Sequence, residues 1–600
     1  MASRQTSSKK IIDIDQAKQS AGLPMKGRDI IVKSLENEGV EVIFGYPGGA
    51  SMEIHQALTL SKKIRHILPR HEQGAAFAAA GYARTTGRVG VCMATSGPGA
   101  TNLLTGIMDS KMDSVPLLAI TGQVPAPVLG SDAFQECDVV GGTFPMVKHS
   151  YLVSDINDIP SVIQEAVHIA TTGRPGPVLV DIPKNLQQQE TIPNFNVSLD
   201  LPGYKPNYKP SPQQVKKAMH AIREAKRPIV YAGGGIITGE ASEELRKFIE
   251  ITGLPITNTV MGLGSFPMED PLSLHMLGMH GAVYANIAIN HADLVIALGV
   301  RFDDRVTGKL AEFCPNARFI HVDIDPSEIN KNIAIDVPIQ GDVKLALQMM
   351  NKQAERKADI DGWLKQLQDW KKEFPLSYES NEKAIVPQHV ICEAQRLADD
   401  DVIVSVGVGQ HQMWTAQFWR FHSPRTFMSS SGLGSMGFGL PAAMGAQVAH
   451  PDRQVINIDG DGCFLMNIQE LQTLKIENIP VKNIVLNNAH LGMVAQWEDR
   501  FYDSLRGHTF IGDANFAEIA AAFGVAGETI TKPEEVEPAL KRMLEFNGPY
   551  VLDVKYPYND QSHGHVIPMI PGGGTYLDSI LDAKSNLRQY WDKKGFSYKG

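Results

Sequence analysis

Short runs of β-branched and other aliphatic residues recur along most of this chain, and longer stretches with apolar residues at helical spacing separate them. An alanine-rich helical pattern over 75–85, for example, lies between the apolar runs 42–44 and 89–93. The other apolar runs lie at 116–121, 177–182, 228–231, 294–298, 318–323, 402–406, 455–458, 481–486 and 550–554. Strands that alternate with helices are typical of βαβ units, whose strands form parallel sheets. The pattern therefore predicts an α/β protein made of doubly wound parallel-sheet domains.

Two polar segments divide this pattern into three blocks. Residues 191–212 contain five prolines, which favour an extended linker, and the charged residues 351–380 form the second division. A chain of 600 residues also exceeds what one hydrophobic core can stabilise. The predicted organisation is a disordered leader (1–25), a first domain (26–190), a linker (191–210), a middle domain (211–350), a linker (351–385), a C-terminal domain (386–556) and a tail (557–600).

Composition excludes several classes of protein. Hydrophobic residues make up 43% and charged residues 20% of the chain, as in soluble globular proteins. The net charge of −10 argues against nucleic-acid binding, and no apolar run approaches the roughly 20 residues that a membrane-spanning helix needs. Five scattered cysteines favour a reducing compartment over a disulfide framework or a zinc site. Residues 1–10 are basic and have no apolar segment, so we expect a leader rather than a secretory signal, with a transit-peptide remnant as the alternative.

A Gly-Asp-Gly sequence at 460–462 stands directly after residues 454–459, which predict a buried strand that ends in a tight glycine turn. Residues 467–476 then predict a helix, and the strand 481–486 is followed by Asn487-Asn488. Because the carboxyl ends of neighbouring parallel strands face one crevice, we expect Asp461 and Asn488 to converge there. One carboxylate, one amide oxygen and a backbone carbonyl beside phosphate oxygens suit Mg²⁺ rather than zinc. Each sequence alone is typical of an ordinary turn or loop, whereas the pair indicates a metal and diphosphate site.

Two segments upstream are candidates for binding an anion. Residues 408–411 follow the strand 402–406, and the Gly/Ser-rich residues 430–439 lead into a helix at Pro441. A glycine-rich loop that enters a helix N-terminus suits a phosphate group. An ordinary helix cap and a loose turn are the alternatives for these two segments.

Glu72 is a candidate catalytic acid. Small apolar residues follow it at helical spacing, so its carboxyl group is expected to point into a packed surface. Burial would raise the pKa of this carboxyl group and favour a shared proton. The alternative is a glutamate that only complements the dipole of a helix N-terminus.

Longer motifs carry a resemblance to one enzyme family. They are Tyr46-Pro-Gly-Gly-Ala50, Arg70-His-Glu-Gln-Gly74, Ser96-Gly-Pro-Gly-Ala-Thr-Asn102, Asp132-Ala-Phe-Gln135, Arg301-Phe-Asp-Asp-Arg-Val-Thr-Gly308 and Gln496-Trp-Glu-Asp-Arg500. With Asp461 and Asn488, the chain resembles the thiamine-diphosphate enzymes. Over about residues 25–595, it resembles the catalytic subunits of the acetohydroxyacid synthase (acetolactate synthase) family. The resemblance implies a first domain that binds the pyrimidine of the cofactor, a middle domain that binds FAD, and a C-terminal domain that binds the diphosphate and Mg²⁺.

The resemblance also implies an activity and partners. The family decarboxylates pyruvate on thiamine diphosphate and transfers the two-carbon unit to a second 2-oxo acid, either pyruvate or 2-oxobutyrate. Its products feed branched-chain amino-acid synthesis, and its FAD takes no redox part. A homodimer or homotetramer with active sites at the subunit interface, a small regulatory subunit, and 2-oxo acids as substrates are expected, without nucleic acid or membrane. The expected location is the bacterial cytoplasm, with a plastid or mitochondrion as the alternative in a eukaryote.

Residue roles follow from the resemblance position by position. The implied catalytic residues are Glu72, which would activate the cofactor, and Gln135 and Lys184, which would line the substrate channel. The implied Mg²⁺ ligands are Asp461, Asn488 and the backbone of His490. The implied thiamine-diphosphate contacts are Val408, Gly409, Gln410, His411, Gly434, Met436, Gly460, Gly462, Cys463 and Met493. Cys463 stands where the family commonly has a serine, and its hydrogen bond would be weaker.

The remaining implied roles concern the second substrate and the flavin. The substrate contacts are Arg305, Trp497, Met279, Val494, Gly49, Ala50 and Phe134, with Arg305 as a fork for a carboxylate and Trp497 as an apolar wall. The alternatives are a surface ion pair of Arg305 with Asp303 or Asp304, and core packing of Trp497. The FAD contacts are Gly233, Gly234, Gly235, Thr259, Met261, Gly262, Met279, His280, Gly281, Arg301, Asp303, Arg305, Asp323, Ile324, Gly341 and Asp342. Two competing interpretations of the chain remain. The first is another thiamine-diphosphate enzyme, such as a pyruvate oxidase, a decarboxylase or an FAD-free synthase, and residues 301–308 and 496–500 argue against all of these. The second is a non-catalytic scaffold protein.

Overall fold

The computed structural model describes residues 22–378 and 380–558. The chain divides into two compact units: one comprises the described residues up to 83 with 87–205, and the other comprises 84–86 with the described residues from 206 onward. Residues 1–21 of the predicted leader (1–25) and residues 559–600 of the predicted tail (557–600) lie outside the described residues, and Met25 belongs to a strand.

The first unit is built on a six-stranded sheet in which every neighbouring pair of strands is parallel. Its strands, including an antiparallel pair outside this sheet, are β1 (Met25–Lys26), β2 (Val42–Gly45), β3 (Arg65–Ile67), β4 (Gly90–Ala94), β5 (Leu117–Gln123), β6 (His149–Leu152), β7 (Pro177–Pro183) and β8 (Glu190–Thr191). Its helices are α1 (Gly27–Asn37), α2 (Met52–Leu58), α3 (Glu72–Thr86), α4 (Pro98–Asn102), α5 (Leu104–Met112), α6 (Val139–Thr143), α7 (Ile159–Thr171) and α8 (Lys184–Gln188), with 3₁₀ turns at Ala126–Val128 and Ile156–Asp158. The sheet order is β3-β2-β4-β5-β7-β6, and β1 pairs with β8. Strands β4, β5 and β7 are buried along their whole length, as in a parallel sheet covered on both faces.

The second unit contains two further six-stranded parallel sheets, and the middle segment of the chain forms the first of them. Its strands are β9 (Pro228–Ala232), β10 (Ile256–Asn258), β11 (Ser273–Met276), β12 (Leu294–Leu298), β13 (Arg318–Asp323) and β14 (Val337–Gln340). Its helices are α9 (Pro212–Glu224), α10 (Gly234–Thr238), α11 (Ser242–Thr252), α12 (Val283–His291), α13 (Asp304–Thr307), α14 (Val343–Asn351) and α15 (Asp361–Glu373), with 3₁₀ turns at Val260–Gly262 and Leu310–Glu312. The order is β11-β10-β9-β12-β13-β14.

The C-terminal segment forms the last sheet, which is also parallel throughout. Its strands are β15 (Ile403–Val406), β16 (Phe427–Ser429), β17 (Val455–Gly460), β18 (Lys482–Asn487), β19 (Ala526–Ile530) and β20 (Tyr550–Lys555). Its helices are α16 (Pro387–Leu397), α17 (Gln410–Phe418), α18 (Gly439–Ala449), α19 (Asp461–Met466), α20 (Glu470–Glu477), α21 (Gly492–Phe501), α22 (Phe516–Ala522) and α23 (Val536–Glu545), with a 3₁₀ turn at Pro533–Glu535. The order is β16-β15-β17-β18-β20-β19.

Apolar packing explains why the middle and C-terminal sheets form one compact unit. Leu263, Met268 and Met276 of the middle segment belong to the buried apolar cluster of the C-terminal sheet. The backbone N–H of Phe421 also donates to the sulfur of Met268 at 3.3 Å. No helix among the described residues is long and apolar enough to cross a membrane.

The predicted α/β fold with three parallel sheets is confirmed, and one local prediction is wrong. Residues 460–462 do not form a tight turn: Gly460 caps α19, and Asp461 and Gly462 are its first residues. The helix predicted over 467–476 corresponds to α20, and α19 precedes it as an additional helix. Glycine flanks suggested a turn, but an aspartate at a helix N-terminus is stabilised by the helix dipole. Gly462 lies in a crowded place, because a Cβ there would approach the Leu491 side chain to 2.8 Å.

Candidate cofactor and metal site

Beyond the carboxyl ends of β15, β17 and β18 lies a pocket with an empty volume of about 420 Å³. The chain runs from β15 out to β16 and returns to β17 on the other side of β15, so the pocket stands where the strand order reverses. Ligands of open α/β sheets bind at such switch points. The pocket is lined by Val408, Gly409, Gln410, His411, Met436, Gly460, Asp461, Gly462, Cys463, Leu486, Asn488, His490, Leu491, Gly492, Met493, Val494 and Tyr556.

The structure brings together every predicted diphosphate and metal contact except Gly434. Gly434 is an exposed residue with φ 74°, and a Cβ there would come no closer than 3.9 Å to the Val408 side chain. Val494, which was predicted to bind substrate, also lines the pocket. The roles of these residues remain predictions.

The loop after β15 supplies a polar group without a partner. Gly409, with φ 147°, precedes α17, which begins at Gln410. The Gln410 amide nitrogen donates to the side-chain oxygen of Gln496 at 3.1 Å. The Gln410 side-chain oxygen is buried and has no hydrogen-bond partner within the described part of the chain. Such an atom is available to a ligand or to water.

Asp461 has the properties of a cation ligand. One of its carboxylate oxygens accepts the backbone N–H of Gly462 at 2.8 Å, and the other is buried without a partner among residues 22–378 and 380–558. Burial raises the pKa of Asp461 to about 7, although backbone N–H groups of Gly462 and of residues 488–490 favour the charged form. A buried carboxylate is stable only if a positive group or further hydrogen bonds compensate it. A divalent cation would provide that compensation.

The loop after β18 faces Asp461. The side-chain oxygen of Asn488 accepts the backbone N–H of His490 at 3.0 Å, and the His490 ring contacts the backbone oxygen of Asn488 at 2.7 Å. Ala489 between them has φ 61°, and its N–H donates to the Asn487 side chain at 3.3 Å. Asn487 in turn donates to the buried carboxylate of Asp553 at 3.0 Å. This network holds the loop, and its oxygen atoms with the Asp461 carboxylate fit Mg²⁺.

Cys463 links α19 to the loop after β15 through hydrogen bonds. Its thiol donates to the backbone oxygen of Val408 at 3.0 Å, and its sulfur accepts the Val408 N–H at 3.3 Å. Burial raises the pKa of this thiol above its ordinary value. The cysteine therefore stays protonated and acts as a structural bridge.

A second carboxylate lies behind His411. One Asp459 oxygen is 3.8 Å from a His411 ring nitrogen, and both residues are buried. Burial lowers the pKa of His411 to about 3 and raises that of Asp459 to about 7. Atoms of His411, Asp459 and Cys463 lie within 4.8 Å of one another. The thiol of Cys463 is already hydrogen-bonded to the backbone oxygen of Val408, so this group is a weaker candidate for a metal site than Asp461 with Asn488.

The predicted flavin contacts all follow strand ends of the middle sheet. Gly233–Gly235 come after β9, Thr259–Gly262 after β10, and Met279–Gly281 after β11. Arg301 and Asp303 come after β12 and lie 3.5 Å apart as an ion pair. Asp323 and Ile324 lie at the end of β13, and Gly341 and Asp342 follow β14. Residues at one edge of a parallel sheet suit a dinucleotide, but the glycines also have a packing reason, since a Cβ at Gly235 would lie 2.6 Å from the Cα of Gly299.

The predicted acceptor-binding residues of this unit are Met279, Arg305, Val494 and Trp497. The Arg305 guanidinium approaches the Met279 sulfur at 3.8 Å. Arg305 is 60% exposed and lies 3.8 Å from Asp304, so the surface ion pair considered above is present but loose. Trp497 is half-buried on α21 rather than fully enclosed in the core.

Glu72 is the first residue of α3 in the first unit and is only 8% exposed. One of its carboxylate oxygens accepts the Asn102 amide at 2.9 Å. The position satisfies both hypotheses for this residue, a buried acid and a helix-terminal glutamate. Gly49 is exposed, whereas the N–H of Ala50 donates to Thr95 at 3.0 Å.

The other channel residues lie on two further segments of the first unit. Phe134 is 89% exposed, and the adjacent Gln135 has φ 61° and packs against Gly97. Lys184 begins α8. Sequence reasoning missed four residues of the pocket in the second unit: Leu486, Leu491, Gly492 and Tyr556. The signal for Tyr556 was its place two residues after the predicted strand 550–554.

Comparison with known proteins agrees with this geometry. Three family models match: thiamine pyrophosphate enzyme, N-terminal TPP binding domain, over residues 25–141; central domain, over 215–350; and C-terminal TPP binding domain, over 407–554. The chain is 54% identical over 580 residues to acetolactate synthase 3, chloroplastic, of Brassica napus, covering 94% of this chain and 88% of that protein. It is 53% identical to the chloroplastic acetolactate synthase of Arabidopsis thaliana (94% and 86% covered) and 54% identical to acetolactate synthase 1 of Zea mays (93% and 89% covered). The expectation of a bacterial cytoplasmic protein is wrong on this comparison, because these relatives are chloroplastic plant enzymes.

Proposed function

The chain belongs to the acetolactate synthase family of thiamine-diphosphate enzymes, and from this membership we propose how its residues perform the reaction. It condenses pyruvate to acetolactate in branched-chain amino-acid synthesis. We propose 2-oxobutyrate as an alternative acceptor, which would give 2-aceto-2-hydroxybutyrate.

One observation supports this proposal most strongly: Asp461 and Asn488 face one pocket at the switch point of the C-terminal sheet. The unpartnered oxygen of Asp461 and the side-chain oxygen of Asn488, with the backbone of His490, would hold Mg²⁺. The cation would neutralise the buried carboxylate and bind the diphosphate of the cofactor. Glycines 460 and 462 would let the backbone approach the phosphates closely.

Thiamine diphosphate, when bound, supplies the electron sink that lets CO₂ leave pyruvate. The residues of the chain have to bind this cofactor, exclude water from it and transfer one proton to and from its aminopyrimidine ring. Gln410 and His411 would contact the diphosphate; the neutral, buried His411 and the apolar side chain of Met436 line the same pocket. Glu72, which is buried and held by Asn102, would exchange a proton with the aminopyrimidine ring.

The acceptor acid needs a positive group for its carboxylate and an apolar surface for its alkyl group. We assign the first role to Arg305, whose exposed guanidinium is only loosely paired with Asp304. Trp497 and Val494 on α21 would form the apolar surface, because both are at least partly accessible. Gln135 and Lys184 keep the roles in the substrate channel that the family resemblance implies.

FAD, a regulatory partner and the compartment complete the proposal. FAD would bind at the strand ends of the middle sheet without taking a redox part. Family membership supports an oligomer with 2-oxo acids as substrates, and we propose a homodimer or homotetramer with a small regulatory subunit. The chloroplastic relatives support a plastid location.

The test uses the purified full chain with pyruvate, thiamine diphosphate and Mg²⁺. We expect acetolactate formation that EDTA abolishes and Mg²⁺ restores. Competition between pyruvate and 2-oxobutyrate would measure the acceptor preference. A flavin released on denaturation, without oxygen consumption during turnover, would separate this enzyme from a pyruvate oxidase. Unchanged turnover after complete removal of divalent cations would refute the metal site.

A further inference from the structure

Tyr556 lies directly beside one of the two side chains assigned to the cation. It follows β20, and its backbone N–H donates to the carbonyl of Asn487 at 3.0 Å, which continues the pairing of β20 with β18 by one residue. The ring belongs to the apolar cluster of the C-terminal sheet and is 6% exposed. The backbone and the core therefore both fix the position of the hydroxyl group.

The hydroxyl group meets the amide of Asn488. The Asn488 side-chain nitrogen donates to the Tyr556 oxygen at 3.0 Å, within the buried part of the pocket. On another side of this nitrogen stands Gly492, where a Cβ would approach to 2.8 Å. The nitrogen is thus enclosed by protein atoms. If the Tyr556 hydroxyl group were removed, the Asn488 amide nitrogen would lose this hydrogen-bond acceptor in a buried place.

The orientation of the amide decides whether Asn488 can bind a cation. A carboxamide offers an oxygen acceptor at one end and two N–H donors at the other. Only the oxygen can ligate Mg²⁺. The backbone N–H of His490 points at the oxygen from 3.0 Å, so a reversed amide would place donor against donor. The Tyr556 hydroxyl oxygen accepts a hydrogen bond from the nitrogen at the opposite end of the amide. The contacts with His490 and Tyr556 together fix the orientation of the Asn488 amide plane.

We propose that Tyr556 is a positioning residue for the cation: its hydroxyl group holds the Asn488 amide so that the oxygen is presented beside Asp461. This inference rests on the proposed function, because it takes Asp461 and Asn488 as the metal ligands. Groups that orient metal ligands typically change metal affinity by about 10- to 100-fold when they are removed. Since this contact is neutral and the His490 contact remains, we expect the lower end of that range.

The experiment measures Mn²⁺ affinity by electron paramagnetic resonance on full-length protein freed of metal and supplied with thiamine diphosphate. Tyr556→Phe removes only the hydroxyl group and should weaken Mn²⁺ binding about 10-fold. Tyr550→Phe is the matched control: it makes the same change at the other end of β20, where the hydroxyl group donates to Glu528 at 2.9 Å. Its Mn²⁺ affinity should equal that of the wild type.

A second variant tests whether Tyr556 acts through Asn488. In an Asn488→Ala background, Tyr556→Phe should cause no further loss of Mn²⁺ affinity, because the coupling partner is gone. An unchanged affinity in Tyr556→Phe, an equal loss in Tyr550→Phe, or a full additional loss in the Asn488→Ala background would each overturn the inference. Asp461→Asn separates this failure from failure of the proposed function. If it abolishes Mn²⁺ binding while Tyr556→Phe does not weaken it, the metal site stands without Tyr556; if Asp461→Asn binds Mn²⁺ normally, the metal site and the inference both fall.

Discussion

Replacing Glu72 with glutamine tests the chemistry with the least disturbance of the structure. One carboxylate oxygen of Glu72 accepts the Asn102 amide at 2.9 Å, and a Cβ on Gly99 would lie 3.2 Å from the other oxygen. Glutamine has nearly the same shape, and its oxygen can keep the contact with Asn102. Its amide group, however, cannot take up or deliver a proton near neutral pH. The change therefore removes the acid while it preserves the packing.

The magnitude follows from these two facts. A positioned general acid or base is worth about 10²- to 10⁴-fold in rate, or about 2.7–5.4 kcal/mol at about 1.36 kcal/mol for each factor of ten. Because the Asn102 hydrogen bond survives, the free energy of unfolding should change by no more than about 1 kcal/mol. We therefore expect kcat to fall by at least about a hundredfold with a nearly unchanged thermal transition.

Acetolactate, converted by acid to acetoin and measured by colour, reports kcat, and quenching of protein fluorescence reports cofactor binding. Glu165→Gln is the matched control, since Glu165 is in the same unit and accepts the Tyr151 hydroxyl at 2.9 Å. A Glu72→Gln protein that binds thiamine diphosphate and keeps kcat within about threefold of the wild type, against the factor of 10² or more expected of a general acid, would refute the assigned role. Loss of cofactor binding would refute it too, in favour of a binding role.

Three further predictions use other parts of the molecule. Arg305→Ala should raise the KM for the acceptor acid about tenfold or more without lowering thermal stability, because the side chain is 60% exposed and a charged hydrogen bond is lost; an unchanged KM would favour the ion pair with Asp304. Burial raises the pKa of Asp181 from 3.8 to about 7, so the folded chain keeps a proton that the unfolded chain has lost. The contribution of Asp181 to the free energy of unfolding should then fall as pH rises from about 4 to about 7, by up to about 1.4 kcal/mol per pH unit. In urea titrations Asp181→Asn should remove this part of the slope and leave the parts that come from Asp459 and Asp461. Gly235→Ala should destabilise the protein by about 1–3 kcal/mol because its Cβ would lie 2.6 Å from Gly299, whereas Gly362→Ala in α15, with no atom within 4 Å, should stabilise it by up to about 1 kcal/mol in the same titrations.

Most interior strands of the sheets could be predicted from the sequence, and the edge strands could not. The interior strand β10 was also missed, because it has only three residues. The predicted strands include β4 and β12, which are buried along their whole length and appear as unbroken apolar runs. Strands β5 and β17 are equally buried and mainly apolar, although β17 contains Asn457 and Asp459. The edge strands β3, β6, β11, β14, β16 and β19 were missed. In β6, for example, no residue is fully buried, so its sequence has no continuous apolar run. Short, half-exposed strands depend on tertiary pairing more than on their own residues.

The same distinction applies to the site. Asp461, Asn488 and Gln410 follow strongly apolar strands, so their convergence could be predicted from parallel topology alone. The start of α19 at Asp461 could not, because glycines on both sides of Asp461 favour a turn. The role of Tyr556 beside Asn488 could not be predicted either, since it depends on the pairing of β20 with β18, whose paired residues are 68 positions apart in sequence. The assignment of FAD depended on family resemblance, because Gly233–Gly235 have a packing role as well.

The unpartnered carboxylate oxygen of Asp461 has a consequence for the abundance of the protein. If Asp461 binds the proposed cation, the cation would compensate the charge of this buried carboxylate, which is costly to bury alone. A ligand that binds only the folded chain adds RT ln(1 + [L]/Kd), about 2.7 kcal/mol at a hundredfold excess over Kd. Because the proposed cation would bind together with the diphosphate of the cofactor, we expect proteolysis to remove this chain faster from cells that lack thiamine.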